Sequence, residues 1–310
     1  MLTTFNALLP VILVIASGHV IARTGLIGPD QWRGIERLAY YLLFPAVLFQ
    51  IIAKLDFATL PTAALSATLV CAILTLSVLV LAFRPVLQRV WGIPGYRFTS
   101  IFQGTVRWNA FVALAIADSL LGEQGVAIIA VGMAVMIPLL NVLSILVLSR
   151  YAHAEPPTLA KTLKDLGTNP FILSIAAGLA VNAAGLPIPG PLDDTLTIIG
   201  SAALPVGIMC VGAGLDLASL RRPGPALTSG TFIRLLVMPL VGAFYASVFG
   251  ITGPALTAVI ISLAVPAASN SYLMAKLMGG DAKLMAEILT LQTLVAVGTI
   301  PLMVYFLGGG

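Results

Sequence analysis

The chain has 310 residues, 59% of them hydrophobic and only 9% charged, with a formal net charge of +4. Soluble domains carry about 25% charged residues, so most of this surface must face something other than water. Spans of about 20 residues joined by short loops account for nearly the whole length. That excludes a sizeable soluble domain and makes the small positive charge a matter of loop topology rather than of nucleic-acid binding.

Apolar stretches of spanning length run over 5–22, 35–53, 60–83, 99–119 and 124–149. The first has no basic lead segment, so it reads as a retained span rather than a cleaved signal peptide. The polar segment Arg150 to Asp165, containing Glu155-Pro156-Pro157, reads as a connector. Five further spans lie at 169–185, 192–213, 227–249, 254–278 and 284–307. The expected fold class is all-α integral membrane, with residues 1–150 as a first five-helix repeat, 151–167 as a cytoplasmic connector and 168–310 as a second five-helix repeat.

The two halves repeat in a register of 160 residues. Pro10, Ile12, Leu13, Ile15, Ala16 and Gly18 return as Pro170, Ile172, Leu173, Ile175, Ala176 and Gly178, and Leu55-Asp56 returns as Leu215-Asp216. Roughly 15 of the 51 positions from Pro10 to Leu60 are identical, and internal repeats of this kind mark secondary transporters. An odd number of crossings per half places the second copy upside down, so the repeat is expected to be inverted. The positive-inside rule then sets the orientation. With the amino terminus outside, about 13 of the 16 basic residues fall in inside loops, and only Lys54 lies in an outside one. Both termini are expected on the non-cytoplasmic side of the cell's inner membrane.

Two segments could carry chemistry. The fourth span contains Gly104-Thr105-Val106-Arg107-Trp108-Asn109, with Arg107 about 15 Å deep. An arginine at that depth costs at least about 2.5–3.5 kcal/mol on insertion scales, so it faces a cavity, a partner or a substrate. Its planar fork suits a carboxylate. The competing reading is a structural ion pair, with Asp118 and Glu287 as candidate partners, although Asp118 would stand about 16 Å away along an unbroken helix. The ninth span contains Val265-Pro266-Ala267-Ala268-Ser269-Asn270-Ser271-Tyr272. Pro266 removes a helix hydrogen bond there, and the small residues let another backbone approach. The fourth and ninth spans are therefore expected to be broken helices, at Gly104 and Pro266, that cross at mid-membrane. Arg107, Trp108, Asn109, Ser269, Asn270 and Tyr272 are the expected substrate-binding residues, although a plain proline kink with a packing serine would account for Pro266 alone.

Other residues read more simply. Asp56 and Asp216 suit helix caps, and Pro45 and Pro205 suit matched kinks. Arg234, near one end of the eighth span, suits snorkelling. Gln292 could line the cavity, whereas Glu287 is shallow. Cys71 and Cys210 read as small buried thiols with no disulfide, and no His or Cys spacing fits a metal. Gly279-Gly280-Asp281 is a capping turn and not a phosphate loop, so neither cofactor nor metal is expected. No nucleophile arrangement at depth suggests an enzyme.

These motifs resemble the auxin efflux carrier family, which includes the plant PIN proteins and bacterial relatives. The resemblance rests on the five-plus-five layout, Phe102 to Asn109, Val265 to Ser269, Gly279-Gly280-Asp281-Ala282, Gln292-Thr293 and Ile300-Pro301-Leu302. It implies a scaffold of spans one, two, six and seven, and a mobile transport unit of spans three to five and eight to ten. It also implies elevator-like movement of an organic anion, and it suggests a homodimer through the scaffold. Bacterial relatives are linked to malonate, malate and similar acids, and the plant members to auxin. One departure matters. Many relatives carry an Asn, then a Pro seven residues on, where this chain has Trp108 and Ala115; Asn109 stands one residue beyond, and the fourth span loses its proline. The plant members also lack an arginine like Arg107, so a smaller and more strongly anionic substrate is expected here. The rival expectations are a sensor that binds the anion without moving it, and a cation/proton antiporter, which calls for midplane acids that these two spans lack.

Overall fold

The computed structural model describes residues 2–56, 60–152, 158, 160, 164, 167–221, 224–268 and 270–308. Most of the connector, and Ser269, lie outside the described residues. Among the described residues the chain is helical, with no strand. Among the described residues six helices are long and apolar enough to cross a membrane: Pro29–Lys54, Thr62–Trp91, Gly95–Tyr151, Gly190–Ala213, Pro225–Val248 and Ala282–Leu307. Leu8–Thr24, Pro170–Ala183 and Gly253–Ala264 are shorter apolar helices. Large apolar side chains such as Val78, Ile198 and Phe306 point outward, as they do on helices whose solvent is hydrocarbon.

Prolines accompany several of the interruptions. After α1 (Leu2–Thr24), the second span consists of α2 (Pro29–Leu38) and α3 (Phe44–Lys54), joined by a π-turn at Ala39–Leu43. Pro45 has no N–H to offer the Tyr41 carbonyl, and the widened turn absorbs the defect. Beyond it come α4 (Thr62–Trp91), α5 (Gly95–Val106), α6 (Ala110–Tyr151) and α7 (Pro170–Ala183). In the seventh span α8 (Gly190–Ser201) gives way to α9 (Ala203–Ala213) just before Pro205, the counterpart of Pro45. A second π-turn, Ile233–Val237, separates α10 (Pro225–Phe232) from α11 (Met238–Val248) ahead of Pro239. The chain ends in α12 (Gly253–Ala264), α13 (Asn270–Leu277) and α14 (Ala282–Leu307).

One boundary differs from those read off hydropathy, and one agrees. Helix α4 continues past residue 83 through Arg84 and Arg89 to a left-handed cap at Gly92, φ 62°, because hydropathy marks where a chain leaves lipid and not where its helix stops. Within α6 the chain turns at Gly122, φ 60° and ψ −151°. Only glycine adopts that conformation freely, and it separates the fourth span from the fifth.

The 160-residue register reappears in the packing. Helix α1 lies on α9, where a Cβ on Gly18 would overlap the Met209 carbonyl, and α7 lies on α3, where a Cβ on Gly178 would come within 2.9 Å of the Phe49 carbonyl. Gly18 corresponds to Gly178, and Phe49 to Met209, in the same register. Lipid supplies no hydrophobic drive between helices, so close backbone approach at small residues is what holds such pairs.

Candidate functional site

The fourth span breaks at Arg107 to Asn109. Arg107 turns extended after α5, with φ −72° and ψ 154°. Asn109 then starts α6, its side-chain oxygen accepting from the N–H groups of Phe111 at 3.1 Å and Val112 at 3.2 Å. In the ninth span Val265 takes nearly the same conformation, φ −70° and ψ 154°, at the end of α12. The two breaks meet: the Asn109 N–H donates to the Pro266 carbonyl at 2.8 Å.

Each break leaves carbonyls without helical partners, and lipid offers none. Two side chains from other spans take them. Gln292 of α14 donates to the Gly104 carbonyl at 2.7 Å and the Gly230 carbonyl at 3.2 Å, and its oxygen accepts from the Ala267 N–H at 2.8 Å. Arg234, in the π-turn before α11, donates from Nε to the Val265 carbonyl at 2.7 Å and from Nη2 to the Ser262 carbonyl at 3.1 Å. Its Nη1 is shared between the carbonyls of Thr105 and Val106, both at 3.4 Å. Ser262 precedes Pro266 by four residues, so its carbonyl is the one the proline cannot serve. Arg234 is fully buried, whereas the sequence suggested snorkelling. Hydropathy places it near the end of its span; the π-turn and the nearby carbonyls bring it to the crossing. Gln292 is likewise fully buried and closes the crossing rather than lining a cavity.

Arg107 behaves differently. It is 5% exposed, and among the described residues no carboxylate pairs with it: the recorded ion pairs are Arg33–Asp30, Lys54–Asp193 and Arg97–Asp281. Neither Asp118 nor Glu287 fills that role. Neutral groups hold the guanidinium instead. Nη1 donates to Asn141 Oδ1 at 3.1 Å, to Ser144 Oγ at 3.3 Å and to Met274 Sδ at 3.6 Å, and Nη2 donates to Asn270 Oδ1 at 2.9 Å. Among the described residues its Nε is buried without a partner. The fork is thus held through Nη1 and Nη2, and Nε is left with an unspent donor.

Of the expected site residues, Arg107 and Asn270 are in contact, and Asn270 is exposed at the amino end of α13. Asn109 caps α6, Trp108 is buried beside the break, and Gly104 presents its carbonyl to Gln292. Tyr272 is 38% exposed and makes no hydrogen bond among the described residues. Ser269 lies outside the described residues. Sequence reasoning missed Asn141 and Ser144 of α6. Their signal was two lone polar residues three apart in an apolar span, which share one helix face. It also missed Tyr40, which lies in electrostatic range of Arg107 and accepts from Asn169 Nδ2 at 3.1 Å. Beside it Phe111 stacks on Phe44 with ring centroids 4.4 Å apart, and both rings meet Phe171 edge-on.

Two caps follow expectation: Asp281 caps α14 through the Leu284 N–H at 2.9 Å, and Asp216 accepts from the Ala218 N–H. Cys71 and Cys210 are free thiols, half-buried where the sequence suggested burial. Among the described residues no group of three His, Cys, Asp or Glu side chains could hold a metal ion.

A comparison with curated proteins gave no match. The family model described as membrane transport protein matches residues 3–304, nearly the whole chain, including both breaks and both arginines at their crossing. The chain therefore belongs to the membrane transport protein family, that of the auxin efflux carriers and their PIN-like relatives.

Proposed function

We propose that this protein is a secondary carrier of small organic carboxylates, with Arg107 as the anion-binding residue. The observation that carries the reading is a buried guanidinium with no carboxylate partner among the described residues, held through Nη1 and Nη2 by Asn141, Ser144 and Asn270 and with Nε unpartnered among them. Burying an unpaired charge is costly, and a mobile anion is the partner that makes the cost serve transport. Asn270 would share the substrate at the exposed rim; Ser269 and Tyr272 remain proposed contacts from their places in the sequence.

The wider architecture belongs to the same reading. Ten membrane helices would form two inverted five-helix repeats, and the repeated Gly18–Met209 and Gly178–Phe49 contacts support it. Spans one, two, six and seven would form the scaffold, and spans three to five and eight to ten the unit that moves in an elevator-type cycle. The Phe111–Phe44 stack would lie on the seam between them. The distribution of basic residues favours an inner-membrane protein with both termini outside.

The test is uptake of labelled malonate, malate and indole acetate into proteoliposomes, wild type beside Arg107→Ala. Uptake of an acid that the variant loses is the expected result. Binding without flux would make the protein a sensor, and undiminished uptake in Arg107→Ala would remove Arg107 from the site.

A further inference from the structure

Four backbone carbonyls converge at the crossing, two from the carboxyl end of each half-helix: Thr105 and Val106 from α5, and Ser262 and Val265 from α12. The half-helix dipoles add negative potential at the same point. Freed carbonyls and half-helix carboxyl ends at mid-membrane are the kind of oxygen cage that holds a coupling cation in secondary transporters. Here the cage already holds a cation, the fully buried Arg234 guanidinium. No carboxylate pairs with it among the described residues, so the carbonyls are the ligands the structure gives it.

We propose that Arg234 is a tethered substitute for a coupling metal ion: it occupies the carbonyl cage permanently, holds the two broken helices together, and frees the carrier from sodium. The repeat supports a specific device over a general packing need. In the 160-residue register Arg234 corresponds to Leu74, so one side chain from one half serves the helix ends of both. The π-turn at Ile233–Val237 places it there. Arg107 is held by side-chain amides and a hydroxyl and keeps its Nε without a partner among the described residues. Arg234 spends all three nitrogens on main-chain oxygens that have no other helical partner. The first can exchange a ligand; the second is itself the ligand.

Two measurements decide it. The transport arm, which rests on the carboxylate-carrier reading, compares wild-type uptake in sodium chloride with uptake in N-methylglucamine chloride on both sides of the membrane. Equal rates are expected, and a requirement for sodium would overturn the proposal. Arg234→Gln keeps amide donors without the charge and should lose uptake by an order of magnitude or more, with Arg234→Lys retaining more of it. An Arg234→Gln variant as active as wild type would show that the charge is dispensable. The stability arm needs no substrate and stands even if no acid is carried. Detergent-solubilised Arg234→Ala is heated with millimolar guanidinium, sodium or urea. An emptied cage should bind guanidinium, raising the midpoint by roughly 2–4 °C near saturation while wild type does not respond. Urea, the neutral analogue, should have no effect. Absence of any cation-dependent rise in Arg234→Ala, or an equal rise with urea, would refute the tethered cation.

Discussion

The Asn109 N–H and the Pro266 carbonyl, 2.8 Å apart, join the two helix breaks directly, backbone to backbone. A donor freed in one span is satisfied by an acceptor freed in the other, so neither break could stand in lipid without its counterpart. Everything else at the crossing is arranged around that bond. Arg234 gathers the carboxyl ends of two half-helices, Gln292 bridges three further backbone groups, and Asn109 caps the helix that restarts the fourth span.

Arg107→Ala should weaken apparent affinity for the transported acid by about 10–100-fold, the scale of a charge-assisted bidentate contact. Arg107→Lys should recover part of it, since a point charge remains but the fork does not. Asn141→Ala should raise KM only several-fold, because it orients the guanidinium without removing it. Initial-rate measurements over a substrate series would check all three. An Asn141→Ala variant as impaired as Arg107→Ala would place the amide itself on the substrate.

Replacing Gln292 with Leu strands the Gly104 and Gly230 carbonyls and the Ala267 N–H in a buried, dry position. Each unsatisfied group costs about 1–3 kcal/mol, so this variant should lose several degrees of thermal midpoint in detergent. Gln292→Glu keeps the acceptor for Ala267 but loses both donations, and it buries a charge besides. It should be no better than Leu, and a fully stable Glu variant would contradict this hydrogen-bond assignment.

Gly18→Ala and Gly178→Ala should each destabilise the protein by about 1–3 kcal/mol, the usual cost of overpacking a close contact. The repeat puts the two glycines in equivalent contacts, against Met209 and Phe49. Gly34, which has open space around it, is the control, and Gly34→Ala should be near neutral. Thermal midpoints of the three purified variants would test the comparison.

A Cβ on Gly104 would stand 3.7 Å from the Ile288 Cβ, inside the range of about 3.5–4.5 Å that a disulfide accepts. In a background with Cys71 and Cys210 replaced by alanine, the Gly104→Cys, Ile288→Cys pair should oxidise readily. If the fourth and tenth spans travel as one body, uptake should be the same oxidised and reduced. Inhibition on oxidation, reversed by a reductant, would show that these spans move against each other.

The local chemistry of the sequence determined a good deal. Hydropathy sets the apolar segments because transfer into lipid is a property of the segment itself. Pro45, Pro205 and Pro266 offered candidate interruptions because a missing N–H is missing in any fold, although Pro10, Pro85, Pro138 and Pro301 stay inside continuous helices. Asp281 announces its cap from its own neighbourhood, and the 160-residue repeat can be read without coordinates. Arg107 stood out because a charge at that depth needs a reason wherever its neighbours are. What only tertiary structure decided is which group answers which. The carbonyl freed by Pro266 at Ser262 is met by Arg234, which lies 28 residues earlier in the chain. Asn141 and Ser144 hold Arg107 across 34 and 37 residues. Two arginines of equal charge are thus held differently, one closed on main-chain oxygens and one on side chains with its Nε unpartnered among the described residues. A hydrogen bond is decided by position to within a few tenths of an ångström, and those positions come from how whole spans pack.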